Sequence, residues 1–198
     1  MRLTARDLAF TAVSAALANV FAMISIGLTR VGQIGLDFSN LAIFIGGIYG
    51  GPILGFMIGL LGGVVPGIMF GPLGGLGWLG LFGLSFGKSL TGLSAGCVSR
   101  MLGVSRKTEV RFVSVLLSYL PESFFTIYFF LSLVPFFLGP VPWVSIGLVI
   151  SITAKGWLET LIIAVFISAL MRNAGFTNLV FNILGRVRSP SSEDAENR

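Results

Sequence analysis

The sequence predicts an all-α integral membrane protein, a single bundle of six transmembrane helices with both termini on the cytoplasmic side. Three observations predict it. Of 198 residues, 55% are hydrophobic and only 11% charged, with a mean hydropathy of +0.95, so the chain cannot clothe a soluble domain of this size in charge. Apolar stretches of membrane-spanning length recur along it. The charges gather between those stretches rather than on one face.

The apolar runs place spans at 8–28, 36–49, 53–65, 78–98, 112–134 and 144–170. The first follows Arg2 and Arg6 and contains Ala16-Leu17-Ala18, an A-x-A pattern of the kind that precedes signal cleavage. Its apolar run continues past that pattern to Leu28, the length of a full span, and is expected to stay uncut. The second and third runs are short for a core of about 30 Å and are separated only by Gly50-Gly51-Pro52, which reads as a tight hairpin with Pro52 opening the next helix. Prolines and glycines make loops of 66–77 and 135–142. Residues 1–185 form the membrane domain, and 186–198 is a polar tail expected to be disordered.

Basic residues set the orientation. With the N-terminus inside, the inner segments hold Arg2, Arg6, Arg100, Arg106, Lys107, Arg111, Arg172, Arg186, Arg188 and Arg198, whereas the outer loops hold only Arg30. That asymmetry puts both ends in the cytoplasm of a multi-pass protein of the cell membrane. Trp78 and Trp143 then fall at the outer boundary, where amphipathic rings are favoured. The net charge of +5 therefore points to lipid rather than to nucleic acid. A lone cysteine, Cys97, excludes an intramolecular disulfide, and the absence of histidine leaves no set of residues at zinc-ligand spacing.

Small residues are patterned. Gly47, Gly51, Gly55, Gly59, Gly63, Gly67, Gly71 and Gly75 recur every four residues. Pro66 and Pro72 break any single helix through them, so the repeat serves at least two segments. Within the third span these glycines form a groove for a neighbouring helix. Ala5, Ala9, Ala12 and Ala16 lie within about 40° of one line along the first helix, at 100° per residue. That stripe fits either packing inside the bundle or docking against another membrane subunit.

Residues 80–90, GLFGLSFGKSL, end in Gly87-Lys88-Ser89 and resemble a phosphate-binding loop, but the pattern needs a glycine where Phe82 stands, and a strand before it. Instead, Lys88 reads as a cation inside a span, about 15 Å of helix from Trp78. Glu122, beside Pro121, and the pair Lys155 and Glu159 fall at similar depth. Each ion alone is costly in hydrocarbon, so the group either locks helices four, five and six together or lines a polar cavity for a small solute. With the sixth span running inward, Glu159 lies about 6 Å deeper than Lys155. The lysine is thereby placed to meet a solute, and the glutamate to hold its charge.

Six spans, internal termini, a small-residue first helix and a midplane lysine in the last span resemble the S component of an energy-coupling factor vitamin transporter. The block 35–63, with its G-x-P step, is similar to the second and third helices of that family. The resemblance covers about residues 8–172. It implies a membrane-embedded, high-affinity binding subunit that captures a vitamin and works with a transmembrane coupling subunit and two cytoplasmic ATPases. The chain itself would need no cofactor, ATP being used only by those partners. Leu36-Asp37-Phe38-Ser39-Asn40 looks most like the riboflavin branch, which tends to read L-D-F-S-D. This sequence departs from that branch at Asn40, at Ala42, where proline is usual, and at Ile152, where an asparagine tends to precede the lysine. The likeness of residues 36–40 makes riboflavin the first expectation, and the departures keep another vitamin or a nucleobase-like solute beside it. The expected substrate site joins the midplane charges Lys88, Glu122, Lys155 and Glu159 to Asp37 and Asn40 of the LDFSN stretch; of these, the resemblance carries over Lys155 and that stretch. It also implies partner docking on Ala12 and Ala16, with Ala5 and Ala9 extending the stripe.

Two other classes compete. An intramembrane enzyme would need a nucleophile–base pair that the sequence does not offer. A structural or assembly subunit would use the same charges only to lock helices.

Overall fold

The computed structural model describes residues 3–32, 36–102, 108–142 and 144–185, and every regular element among them is helical. In order these are α1 (Ala5–Gly32), α2 (Ser39–Gly50), α3 (Pro52–Gly62), α4 (Val64–Phe70), α5 (Gly77–Leu102), α6 (Thr108–Tyr128), a π turn (Phe129–Leu133), α7 (Val134–Leu138), α8 (Ile146–Arg172) and α9 (Ala174–Leu184). Four stretches are long and apolar enough to cross a membrane: Ala5–Leu28, Pro52–Phe70, Glu109–Leu138 and Ile146–Arg172. A helix also lies at each of the two remaining apolar runs, as α2 and α5. Helix α2, with 12 residues, is about 18 Å long.

Helix α5 is the hub and packs against α2, α3, α4 and α6. Its 26 residues span about 39 Å, but glycine and serine dilute its apolarity. A helix enclosed by other helices needs closeness more than greasiness. The four-residue glycine repeat supplies that closeness. Added methyls would stand 2.6 Å from Ser89 Cα at Gly59, 2.6 Å from Ser85 Cα at Gly63 and 2.8 Å from the Leu81 carbonyl oxygen at Gly67. Gly55 and Gly92 approach backbone to backbone. The register falls along α5 as it rises along α3 and α4, so the two rows run antiparallel as one small-residue seam.

Three local devices make this possible. Thr4 and Asp7 cap α1 reciprocally: the Asp7 carboxylate accepts from Thr4 N at 3.0 Å, and Asp7 N donates to Thr4 Oγ1 at 3.2 Å. Gly51, at φ +90°, ends α2 and lets Pro52 open α3 in the next residue. At the step between α3 and α4, the Asn19 side chain bridges the broken ladder. Its amide donates to Leu61 O at 2.9 Å and its oxygen accepts from Val65 N at 2.9 Å. Leu61 and Val65 are the carbonyl and amide that an unbroken helix would join.

The structure corrects the expected loops. Residues 66–70 are helical in α4 and 135–138 in α7: Pro66 falls in the first turn of α4, where a missing N–H costs little, and Pro135 directly follows the π turn, whose shifted ladder accommodates it. The helical path begun by α6 therefore runs through the π turn to Leu138, past the expected end at 134. Helix α9 was not expected at all. Asn173 caps it by accepting from Phe176 N at 3.1 Å, and Gly185 closes it in the left-handed region. Its apolar face, Val180 and Leu184, joins Phe10, Tyr49 and Leu54 in one core cluster, and Thr177 Oγ1 meets the Tyr49 hydroxyl at 3.1 Å. Trp143, Arg106, Lys107, the side chain of Arg30 and the tail 186–198 lie outside the described residues.

Candidate functional site

The residues just before and at the start of α2 form the floor of the site. Asp37 accepts from Ser39 N at 2.8 Å through one carboxylate oxygen, a turn that aspartate makes with the amide two residues on. Phe38 N reaches Ser25 Oγ at 3.4 Å, tying this segment to α1. The polar side chains Asp37, Ser39 and Asn40 thereby converge on α5.

Lys88 meets them there. Its ammonium donates to Ser39 Oγ at 2.7 Å, Asn40 Oδ1 at 2.9 Å and Asp37 Oδ2 at 3.0 Å. A lysine has three N–H donors, and all three are used. Lys88 is 6% exposed and the Asp37 side chain 29%, so the ion pair is buried on the lysine's side and half-buried on the aspartate's, with the remaining lysine donors satisfied, the arrangement that makes such a pair tolerable. The residues of the phosphate-loop look-alike, 80–90, all lie within helix α5.

Helix α8 closes the site from the other side. Glu159 Oε1 accepts from Asp37 N at 2.7 Å, which fastens α8 to the head of α2. The same oxygen lies 3.5 Å from Lys155 Nζ, with side-chain exposures of 48% for the lysine and 10% for the glutamate. The two lysines thus differ in kind. Lys88 is enclosed and saturated, whereas Lys155 stands half in the open with a loose ion pair beneath it.

Glu122 occupies a separate corner. Its carboxyl meets the Thr91 hydroxyl across the α5–α6 contact. At the next residue, Ser123 Oγ accepts from Trp157 Nε1 at 3.1 Å, and Trp157 stacks edge-on to Tyr119 with ring centroids 5.2 Å apart. Gly156 faces the Tyr119 hydroxyl, where a side chain would collide.

Of the six expected site residues, five join one chain of contacts: Asn40, Lys88, Asp37, Glu159 and Lys155. Glu122 stands beside it. The expected pairing needs correcting, because the counter-ion of Lys88 is Asp37 rather than a carboxylate of α6 or α8. Helical depth gives the level of a charge but not its direction, and three acceptors at the head of α2 outcompete one glutamate on α6. Ser39 and Thr91 were not singled out from sequence. Ser39 had a signal, since it completes a polar patch opposite Lys88 at the start of an otherwise apolar run.

Two surface features lie apart. Ala5, Ala9, Ala12 and Ala16 are all exposed, while Phe10, Ala15, Ala18 and Ala22 form the buried face of α1, so packing inside the bundle is not what the stripe does. On the opposite flank of α8, a groove of about 330 Å³ is lined by Ile127, Leu131, Ile150, Thr153 and Trp157 among others. None of the expected site residues lines it.

In comparisons with known proteins, the chain matches no family model, no curated protein and no solved structure.

Proposed function

We propose that this chain is a membrane-embedded, non-enzymatic binding subunit for uptake of a vitamin-like small molecule, riboflavin being the leading candidate. In this reading six helices cross the cell membrane and both termini are cytoplasmic. A transmembrane coupling subunit docks on the alanine stripe of α1, and cytoplasmic ATPases supply the energy. The class is that of an energy-coupling factor S component, on the resemblance of its helix pattern and of residues 35–63. One observation carries the proposal. Lys155 is a half-exposed cation well inside α8, held over a carboxylate that is itself bolted to the backbone of Asp37. A cation that served only to lock helices would be enclosed, as Lys88 is. An intramembrane ionisable group left open in this way is a functional group by default.

The test is whether the protein carries its ligand through purification. Absorbance and mass spectrometry of the detergent-purified protein should reveal one stoichiometric small molecule with hydrogen-bond acceptors for Lys155. A protein that purifies empty, and binds neither riboflavin nor other vitamins in titration calorimetry, would remove the reading. The saturated Lys88 node favours a second role beside the first, since it braces α2 to α5 whatever the solute.

A further inference from the structure

We propose that the end of the bundle covered by helix α9 binds the headgroup of an anionic phospholipid through Arg6, Arg100 and Arg172. Helix α9 sets the frame. Near its start, Thr177 Oγ1 meets the Tyr49 hydroxyl, in the last turn of α2, at 3.1 Å. At its close, Gly185 lies under the Arg6 side chain, in the first turn of α1. A helix that touches the ends of two others in this way runs across the end of the bundle and not along its wall. Its inner face, Val180 and Leu184, is buried, whereas Leu179 is 57% and Ile183 47% exposed. Asn178 and Asn182 are exposed beside them, and the helix itself carries no charge.

The charge around α9 comes from three other helices. Arg6 lies against Gly185, which closes α9, and Arg100, in the last turn of α5, lies against Gly51, between α2 and α3. A methyl added at either glycine would collide with the guanidinium, so each glycine seats an arginine against the backbone. Arg172 ends α8, two residues before α9 begins. All three side chains are exposed. Among the described residues the ion pairs are Lys88 with Asp37 and Lys155 with Glu159, so none of these arginines has a carboxylate partner there. The acids near this end do not serve them: Asp7 is buried and turned to Thr4 in the α1 cap, and Glu109, at the start of α6, pairs with none of the three.

Guanidinium groups without a carboxylate suit an anion with several acceptor oxygens, and phosphate fits their fork. The surroundings decide which phosphate. A soluble anion has no use for an apolar floor, whereas exposed aliphatic side chains beside arginines and amides are the pattern of a helix lying at headgroup level. An anionic phospholipid satisfies both halves, with its phosphate on the arginines and its first methylenes on Leu179 and Ile183. This inference stands on the bundle lying in a bilayer and not on the solute it carries.

Native mass spectrometry tests it, with the protein in maltoside titrated with palmitoyl-oleoyl phosphatidylglycerol or with the phosphatidylcholine of the same chains. The wild type should retain phosphatidylglycerol at least about tenfold more tightly, since each basic residue near an anionic surface is worth about fivefold. Arg6→Gln with Arg172→Gln should remove most of that preference and leave phosphatidylcholine retention unchanged. Arg172→Gln alone touches neither glycine seat, should lose about fivefold, and carries the test if the double variant fails to fold. Leu179→Ser with Ile183→Ser should weaken both lipids, and millimolar inorganic phosphate at constant ionic strength should displace neither. Equal retention of the two lipids by the wild type would overturn the proposal and leave this end to a partner protein. A preference untouched by the arginine variants, or aliphatic variants that hold both lipids as before, would overturn it as well. So would displacement by inorganic phosphate, which would make the arginines a site for a soluble anion.

Discussion

The two lysines within the bundle invite comparison, because they have the same chemistry and opposite surroundings. Lys88 sits on the central helix, is 6% exposed and spends every donor on three acceptors of one partner segment. Lys155 sits on a peripheral helix, keeps 48% of its side chain exposed and leans on Glu159 at 3.5 Å. The first arrangement is closed and the second unfinished. The contrast separates depth from saturation: two lysines inside one bundle can differ wholly in how many of their donors are used.

Substitutions can break this contrast. The largest effect is expected from Lys88→Met, which strands Asp37 without its cation. Losing one member of a buried pair costs about 3–5 kcal/mol, and the 29% exposure of the Asp37 side chain puts this case at the lower end, so the thermal midpoint should fall by on the order of 8 °C, while protein that remains folded keeps its ligand affinity. Unchanged stability would mean that the node is no brace. Asn40→Ala removes one of three acceptors and should cost less, about 1–3 kcal/mol, measured by the same melt. A larger loss than for Lys88→Met would shift the weight of the node to the asparagine.

On the open side the order reverses, and binding changes more than stability. Glu159→Gln still accepts from Asp37 N but no longer balances the Lys155 charge. It should weaken ligand binding by a few-fold with a small loss of stability. A collapse of the fold would show that Glu159 belongs to the brace. The smallest structural effect is expected at the alanine stripe. Ala12→Leu with Ala16→Leu enlarges an exposed face of α1, so the melt should move little while uptake and co-purification of a coupling subunit are lost. Uptake that survives would return the stripe to contact with lipid alone.

What the sequence made legible follows from what each signal encodes. Hydropathy located six of the helices because burial in lipid and burial in a core demand the same apolar runs. The glycine repeat marked a groove on α3 for a neighbouring helix, because small residues every four positions let backbones approach; that the neighbour is α5 came only with the packing. Helix α9 escaped for the converse reason: at 11 residues it is too short to register as a span, although Asn173 and Gly185 mark both its ends. Pro66 and Pro135 signal breaks in a sequence, yet the first stands in the first turn of α4 and the second follows a π turn that accommodates it. Hydropathy could not reveal the partner of Lys88, because it fixes depth and leaves direction around the helix axis to tertiary packing. Asn19 was overlooked for a similar reason. Its purpose, spanning a break between Leu61 and Val65, exists only once α1 lies against α3 and α4.

The central claim is that Lys155, and not Lys88, meets the solute. It is tested most directly by measuring ligand occupancy of folded Lys155→Met and folded Lys88→Met beside the wild type. Each is purified as a monodisperse species and analysed by native mass spectrometry and calorimetry. Lys155→Met preserves side-chain length but removes charge and donors, so its affinity should fall more than about tenfold, equivalent to about 1.4 kcal/mol, with a near-wild-type melt. Lys88→Met should bind normally in whatever fraction stays folded. A folded Lys155→Met that holds the wild-type ligand at wild-type affinity would contradict the account and make the Lys155–Glu159 pair a second brace.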